Sequence, residues 1–212
     1  MRIHGTLSAT RVNGPGLRSA AWLQGCQVGC SGCQNPATWP MDAGEEISPE
    51  DLAVRLVHDA APDTVGLTVS GGEPLHQAPA LYAMICMVQA IAPHWDIGLF
   101  SGYTLGEMES GNYYCPTMPP SVLEDRAAKR LLWQHQITDR LTWGIFGRYD
   151  RTRTSRSDRA DLPWRHAVAS ANQDIHLFRT KWVYSDFAAL MQEVTIDNTG
   201  LTTISGYAKG SR

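Results

Sequence analysis

Three cysteines, Cys26, Cys30 and Cys33, lie within eight residues of this sequence. Thiolates are soft donors that bind zinc and iron–sulfur clusters, so this spacing predicts a metal-binding loop. A structural zinc ion or a saturated 4Fe–4S cluster takes four ligands, whereas three thiolates leave one metal position open to an external ligand. The other two cysteines, Cys86 and Cys115, are distant, so the pattern does not indicate a disulfide framework.

The residues alone leave the metal undecided. A zinc site could be completed by a distant donor such as Cys115 or His76, and a chance cluster of thiols is a further alternative. Ligand chemistry supports zinc and iron–sulfur equally. The small residues Gly25, Gly29 and Gly32 would let the backbone wrap around a cluster and point its amides at the sulfides.

Length and composition favour a single folded domain over residues 1–212. Apolar residues make up 43% of the chain and charged residues 18%, which excludes the composition of a disordered protein. The net charge of -3 gives no electrostatic reason to expect binding to nucleic acid or an anionic membrane. The sequence has neither a secretion signal nor a membrane-spanning apolar stretch, so we expect a cytoplasmic location.

Strands and helices alternate through the first half of the chain. A short strand at residues 19–24 leads into the cysteines, and Ser48 caps a helix that begins with proline and acidic residues. Strands at 65–69 and 97–100, with a helix at 80–91 between them, continue the pattern. This order predicts an α/β fold with a parallel sheet, whose strands end near the cysteine loop.

The second half is less regular. A helix is expected at residues 122–136 and a strand at 141–146. Residues 147–163 hold five arginines and few apolar residues, which predicts an exposed loop or a lid. The remaining elements expected are a strand at 174–178, a helix at 187–192, and a hairpin of 193–196 with 202–205.

Two turns carry further polar groups. Gly71 and Gly72 follow a strand and permit close backbone approach to a ligand, and Glu73 projects a carboxylate from the same turn. Taken alone, this is an ordinary strand-ending turn. Thr104 and Glu107, after the next strand, have the spacing of a capping box that would begin a helix.

The cysteine triplet and its surroundings resemble the radical S-adenosylmethionine superfamily. More narrowly, they resemble the activating proteins of anaerobic ribonucleotide reductases and related glycyl-radical activases. Gly32 stands where many superfamily members carry an aromatic residue, and glycine there is typical of the reductase-activating subgroup. The segments that carry the resemblance are residues 13–18, 22–26, 30–39, 70–74, 100–104, 170–173 and 204–207.

The resemblance implies an incomplete parallel β/α barrel of the radical S-adenosylmethionine type. A loop at residues 25–36 would hold a 4Fe–4S cluster through Cys26, Cys30 and Cys33, with the fourth iron open to S-adenosylmethionine. The cofactor-binding residues implied are Gly71, Gly72, Glu73, Ser101, Tyr103 and Asn35. Among these, Glu73 would accept a charge-assisted hydrogen bond from the methionine ammonium group.

The function implied is reductive cleavage of S-adenosylmethionine to a 5′-deoxyadenosyl radical that abstracts hydrogen. The expected partners are a glycyl-radical enzyme, such as an anaerobic ribonucleotide reductase, and an external electron donor of flavodoxin or ferredoxin type. One alternative is a stand-alone radical enzyme that acts on a small molecule or a peptide. A second alternative is a non-catalytic zinc or iron–sulfur binding module.

Overall fold

The computed structural model of the chain describes residues 1–153, 168–187, 192–196 and 202–206. Nine strands occur in these ranges, and seven of them form one sheet in the order β3-β1-β2-β4-β5-β6-β7. The remaining two form a separate hairpin. The strands are β1 (Arg2–Thr10), β2 (Arg18–Leu23), β3 (Glu45–Glu46), β4 (Gly66–Gly71), β5 (Asp96–Ser101), β6 (Trp143–Phe146), β7 (Asp174–Leu177), β8 (Gln192–Ile196) and β9 (Thr202–Gly206).

The centre of the large sheet is parallel. Strands β2, β4, β5 and β6 run in the same direction, with β1 antiparallel to β2 on one side and β7 antiparallel to β6 on the other, and the short β3 pairs antiparallel with β1 at the edge. This arrangement confirms the predicted α/β class, with a mostly parallel sheet that the two edge strands leave open. The carboxyl ends of the four parallel strands therefore share one edge, where α/β proteins place their ligands.

The sequence did not predict β1 or the antiparallel edges. Strand β1 has the alternating burial of a half-exposed strand, with Ile3 buried and His4, Thr6 and Ser8 exposed. Few apolar residues mark such a strand in a sequence. Burial of one face against the rest of the sheet therefore decides its conformation more than its own residue types do.

The helices are α1 (Pro49–His58), α2 (Ala78–Ile91), α3 (Leu105–Glu109) and α4 (Arg126–Leu132). The Ser48 hydroxyl accepts a hydrogen bond from the Asp51 amide, which confirms the predicted start of α1. The capping box of Thr104 and Glu107 is also present at α3. Helices α1 and α2 pack against each other.

The helix expected at 122–136 is shorter than predicted. It begins at Arg126, because the Asp125 carboxylate accepts hydrogen bonds from the amides of Ala127 and Ala128 and caps this point. After Leu132 the chain continues as a π-helical turn over Trp133–Ile137. The Asp125 cap therefore sets the start of α4, although the apolar pattern in the sequence predicts an earlier start at residue 122.

Strands β8 and β9 confirm the predicted closing hairpin. The helix expected at 187–192 lies mostly outside the described residues, and Tyr184–Phe187 form a 3₁₀ turn just before it. Residues 154–163 of the arginine-rich segment are also outside the described ranges. Within the described part of the chain, every helix is too short or too polar to cross a bilayer.

A buried ion pair fastens the amino ends of the parallel strands. Arg18 is fully buried, and its guanidinium bonds the Asp96 carboxylate and donates to the Thr68 hydroxyl at 2.7 Å. The second Asp96 oxygen accepts from the Trp182 indole at 2.7 Å, and the guanidinium lies 5.2 Å from the centre of the Trp143 ring. The charged groups at the amino ends of the parallel strands therefore have their partners within the chain.

Candidate metal and cofactor site

The cysteine loop is fastened to the carboxyl end of β2. The amides of Gly25 and Cys26 donate to the carbonyls of Thr38 and Trp39, at 2.8 and 3.0 Å, so the chain leaves and returns at one place. Gly25 has a φ of +99°, a backbone conformation that favours glycine. The three thiols are therefore presented by a closed loop with a fixed base.

The turn after β4 is hydrogen bonded to this loop. The Glu73 amide donates to the Gly25 carbonyl at 3.0 Å, and the Gly72 amide donates to the Leu23 carbonyl at 2.8 Å. A Cβ atom added at Gly72 would lie only 2.4 Å from the Gly25 carbonyl oxygen. The close backbone approach expected of these glycines is thus made to the cysteine loop itself.

The backbone around the three cysteines favours the charged form of their sulfurs. The Cys33 sulfur accepts from the Asn35 amide at 3.4 Å. Backbone groups of Val28 and Gly29 act to lower the pKa of the Cys26 thiol, and that of Tyr149 acts to lower the pKa of Cys30, although burial outweighs them at both residues. Amide hydrogen bonds to sulfur help to set the potential of an iron–sulfur cluster.

The environment disfavours free thiolates. Burial raises the pKa of the Cys26 thiol to about 11, and the carboxylate of Glu73 adds to this effect. Burial also raises the pKa of Cys30. Because metal binding requires deprotonated thiols, a bound cation must supply the stabilisation that the protein alone does not give.

Glu73 is buried at the base of the site. Its Oε1 atom accepts hydrogen bonds from the Leu75 amide at 2.9 Å and the Ser101 hydroxyl at 2.8 Å, and Oε2 accepts from the Gly102 amide at 2.8 Å. A carboxylate has about four acceptor positions, so one on Oε2 remains for a ligand. Burial is the main cause that raises the pKa of Glu73 to about 7.

The cysteines, the Gly-Gly-Glu turn and the end of β5 line one open cleft. Its predicted members are Cys26, Cys30, Cys33, Asn35, Gly71, Gly72, Glu73 and Ser101. The structure therefore brings together every predicted site residue except Tyr103.

Tyr103 lies behind the cleft wall. Its side chain is buried, and its hydroxyl accepts from the Tyr114 amide at 3.0 Å and lies 3.3 Å from Nε2 of His76. The Tyr103 amide donates to the Ser101 hydroxyl at 3.1 Å. Tyr103 thus supports the turn that carries Ser101.

Four cleft residues from the second half were not predicted as site residues. Gly147 and Tyr149 follow β6, and Ala169 and Gln173 precede β7. The Gln173 side chain donates to the Gly147 carbonyl at 3.0 Å, which joins the two segments. The family resemblance at residues 170–173 was the sequence signal that could have identified this segment as part of the site. Only the fold shows that the segment lies beside the cysteines.

The donors that would complete a zinc site are elsewhere. His76 and Cys115 are both buried, and the Cys115 sulfur lies 3.5 Å from the His76 carbonyl oxygen rather than in the cleft. Across the described ranges, no three histidine, cysteine or acidic side chains converge on a point suited to one ion. A 4Fe–4S cluster does not require its three protein ligands to converge on one point, because each thiolate binds a different iron.

The donor set therefore fits a 4Fe–4S cluster. Three soft thiolates on one loop face an open cleft, the Asn35 amide donates to the Cys33 sulfur, and a carboxylate with a spare acceptor position lies nearby. A fourth thiol is not supplied at the cleft by the described residues. The open position is where an external ligand would bind.

Comparison with known families decides between the two metals. The model of a family described as a 4Fe-4S single cluster domain matches residues 12–176. The chain belongs to this family. The match contains the whole cysteine loop, strands β2 to β6 and most of β7, so it confirms the iron–sulfur interpretation of the triplet over zinc.

Relatives of this 4Fe–4S domain protein are activating proteins. The anaerobic ribonucleoside-triphosphate reductase-activating protein of Salmonella typhi is 33% identical over 114 residues, which are 52% of this chain and 74% of that protein. Its Vibrio cholerae counterpart is 31% identical over 143 residues, or 62% of this chain and 92% of that protein. These relatives confirm the resemblance to glycyl-radical activases.

Two further proteins show partial similarity. The pyruvate formate-lyase-activating enzyme of Listeria monocytogenes is 35% identical over 104 residues, which are 48% of this chain and 42% of that enzyme. The crystal structure of QueE from Escherichia coli aligns with a TM-score of 0.38 and 20% identity, over 49% of this chain and 52% of that one.

Proposed function

We propose that this 4Fe–4S protein activates a glycyl-radical enzyme with S-adenosylmethionine as its cosubstrate. The observation that carries the proposal is the shared cleft, in which three thiols and the Glu73 carboxylate meet at the carboxyl ends of β2, β4 and β5. The partner class follows from relatives named for activating anaerobic ribonucleoside-triphosphate reductase.

The three cysteines hold the cluster. Cys26, Cys30 and Cys33 each lose a proton on binding iron, and the Asn35 amide stabilises the charge that results on the Cys33 sulfur. When bound, the cluster and S-adenosylmethionine together supply a 5′-deoxyadenosyl radical that abstracts hydrogen. The protein holds these groups and shields them, since the cofactors carry the difficult chemistry.

Glu73 orients the methionine end of the cosubstrate. The three hydrogen bonds from Leu75, Ser101 and Gly102 fix the carboxylate and leave one acceptor position of Oε2 unused. An ammonium group is the donor that suits a buried carboxylate. Gly71 and Gly72 let this turn lie against the cysteine loop, so the carboxylate and thiols stay close.

The remaining predicted residues have supporting parts in this proposal. Asn35 lines the cleft beside the cysteines, and its amide bonds the Cys33 sulfur. Ser101 fixes Glu73, and Tyr103 supports Ser101 from behind the wall. A cleft with an open mouth suits a glycine-bearing loop of a partner protein better than a sealed pocket would.

The proposal includes a single catalytic domain over residues 1–212 and a cytoplasmic setting. A reducing compartment keeps cluster-binding thiols unpaired. The electron for the cluster comes from an external donor of flavodoxin or ferredoxin type.

The test combines the iron-loaded protein with a glycyl-radical enzyme under strict exclusion of oxygen. S-adenosylmethionine and a chemical reductant are added, and the partner is examined by electron paramagnetic resonance. We expect a glycyl-radical signal that requires all components and is absent from a Cys30→Ala variant. Cleavage of S-adenosylmethionine without any partner radical would contradict the proposal and favour a small-molecule or peptide substrate.

A further inference from the structure

His76 joins the turn after β4 to another segment of the chain. Its side chain is fully buried, and its amide donates to the Glu73 carbonyl at 3.0 Å. The His76 carbonyl accepts from the Thr117 hydroxyl at 2.9 Å and lies 3.5 Å from the Cys115 sulfur. The imidazole ring therefore extends from a backbone that is fixed beside Glu73.

The imidazole of His76 lies between two tyrosines. Its Nε2 atom is 3.3 Å from the Tyr103 hydroxyl oxygen. The centre of the imidazole lies 6.2 Å from the centre of the Tyr103 ring and 5.4 Å from that of the Tyr114 ring, both in edge-to-face arrangements. The Tyr103 hydroxyl also accepts from the Tyr114 amide at 3.0 Å. The ring is thus held by aromatic packing and by a polar contact with Tyr103.

The polar groups around the imidazole determine its tautomer. Burial lowers the pKa of His76 to about 4, so the ring is neutral at neutral pH and carries one N–H. If the Tyr103 hydroxyl donates to Nε2, the proton lies on Nδ1, and only Nδ1 is left without a partner among the described residues. The other tautomer would leave both Nδ1 and the tyrosine proton unpaired within the described ranges. The Tyr103 hydroxyl is therefore the donor, and Nε2 of His76 is the acceptor.

The same tyrosine reaches Glu73 through the turn after β5. The Tyr103 amide donates to the Ser101 hydroxyl at 3.1 Å, and that hydroxyl donates to Oε1 of Glu73 at 2.8 Å. The amide of Gly102, between these two residues in the chain, donates to Oε2 at 2.8 Å. The contacts therefore form a closed circuit, in which the pair of His76 and Tyr103 joins the turn after β4 to the turn after β5.

The unpartnered Nδ1 atom indicates that His76 does more than fill space. A buried polar atom without a partner lowers the stability of a fold. The neighbouring residues Pro74 and Leu75 are buried and apolar, and an apolar side chain at position 76 would avoid this cost while still packing on the tyrosines. Only the contact with Tyr103 requires a polar atom at this place.

We propose that His76 is a positioning residue for S-adenosylmethionine. Its hydrogen bond with Tyr103 fixes the turn after β5 relative to the turn after β4, and so keeps the Ser101 hydroxyl and the Gly102 amide on the carboxylate of Glu73. Glu73 then presents its unused acceptor position to the methionine ammonium group in one fixed direction. The inference rests on the proposed function, because it assumes that Glu73 binds this group.

Two substitutions of similar size test the polar contact. Methionine and glutamine have side chains of equal length, but only glutamine carries a polar end that can accept a hydrogen bond near the position of Nε2. His76→Met therefore fills the space without the contact, and His76→Gln keeps the contact. If His76 only fills the core, His76→Met should bind S-adenosylmethionine as wild type does. If His76 positions Glu73, His76→Met should bind more weakly, and His76→Gln should restore most of the affinity.

Removal of the other partner gives an independent comparison. Tyr103→Phe deletes the hydroxyl but keeps the ring, so it should weaken binding as much as His76→Met does. The double variant should bind no more weakly than either single variant, because both substitutions remove the same contact. Tyr113→Phe is the matched control, since the Tyr113 hydroxyl also donates within the core, at 2.8 Å, but to the Lys129 carbonyl rather than to a group that holds Glu73.

The measurement is isothermal titration of the iron-loaded full chain with S-adenosylmethionine under exclusion of oxygen. We expect His76→Met and Tyr103→Phe to raise the dissociation constant about three- to tenfold, which corresponds to the net contribution of one hydrogen bond. His76→Gln and Tyr113→Phe should remain close to wild type. Iron content and circular dichroism verify that each variant binds the cluster and folds, and Tyr103→Phe decides the question if His76→Met does not fold.

The failures are distinguishable. Unchanged affinity in both His76→Met and Tyr103→Phe, at full iron content, would overturn the positioning role and leave the proposed function standing. Equally weak binding by His76→Gln and His76→Met would also overturn it, because the shape of the side chain rather than its polar contact would then matter. An iron-loaded wild-type chain that does not bind S-adenosylmethionine would overturn the proposed function itself.

Discussion

The two ends of the parallel strands use their polar groups differently. At the amino end, Arg18 is buried against Asp96, and both carboxylate oxygens of Asp96 have partners within the chain. At the carboxyl end, Glu73 keeps an unused acceptor position, and burial raises the pKa of the Cys26 thiol. The charged groups at the amino end therefore stabilise the sheet, whereas a charged group at the carboxyl end remains available to a ligand.

The largest effect is expected at the amino end. Asp96→Ala would leave the Arg18 guanidinium buried without its anion, which should lower the free energy of unfolding by about 3–5 kcal/mol. Urea denaturation of the chain measures this loss. Asp139→Ala is the control, because its pair with Arg179 is exposed and should contribute about 0–1 kcal/mol. Equal losses of unfolding free energy in the two variants would mean that the buried pair at the amino end stabilises the sheet no more than an exposed pair does.

At the carboxyl end, the ionisation of Glu73 should cost stability. The pKa of Glu73 is raised from 4.5 to about 7, mainly by burial, so the cost is absent below pH 4.5 and complete above about pH 7. Between these limits, we expect the metal-free chain to lose about 3 kcal/mol as the pH rises. Glu73→Gln should remove this dependence. Denaturation at several pH values measures the free energy of unfolding of both proteins. If it changes with pH equally in wild type and in Glu73→Gln, burial does not destabilise the Glu73 carboxylate.

The capped helices and the cysteine triplet were predictable because their signals are local. Ser48 with Asp51, and Thr104 with Glu107, lie within one helical turn of each other. The triplet needs only a short stretch of sequence to be recognised. The residues that form such features are close together in the sequence, so the sequence alone is enough to identify them.

The contacts across strands were not predictable in this way. Glu73 meets Ser101 only because β4 and β5 are neighbours in register, and Tyr149 lines the same cleft as Cys30 only because β6 ends at the same edge. The burial of Arg18 also runs against the usual place of arginine at the surface. These contacts depend on which distant strands pair, and residue types near each position do not specify that.

The free acceptor position of Glu73 leads to a binding prediction of intermediate size. Glu73→Gln should retain the cluster but weaken binding of S-adenosylmethionine by about 1–3 kcal/mol, because a charge-assisted contact is lost. Isothermal titration of the iron-loaded proteins measures the affinities, with iron content as the control. Equal affinities would mean that the carboxylate only stabilises its turn.

The smallest effect is expected at the outer rim of the carboxyl end, where Arg151 and Arg153 are exposed. If these arginines dock an acidic partner surface, replacing both by glutamine should lower partner activation while cleavage of S-adenosylmethionine without partner continues. Glutamine keeps the aliphatic stem of Arg151 against Gly32. Added salt should imitate the substitution, since exposed charges are screened over about 10 Å at 0.1 M. Equal activation at low salt would exclude docking by these residues.

The central claim is that the carboxyl end of the sheet holds a three-thiolate iron–sulfur cluster with one open position. Its most direct test is anaerobic reconstitution of the chain with iron and sulfide, followed by metal analysis and spectroscopy. We expect about four irons and four sulfides per chain, with spectra that change when S-adenosylmethionine is added. A chain that takes up one zinc ion per molecule and refuses iron would contradict the claim.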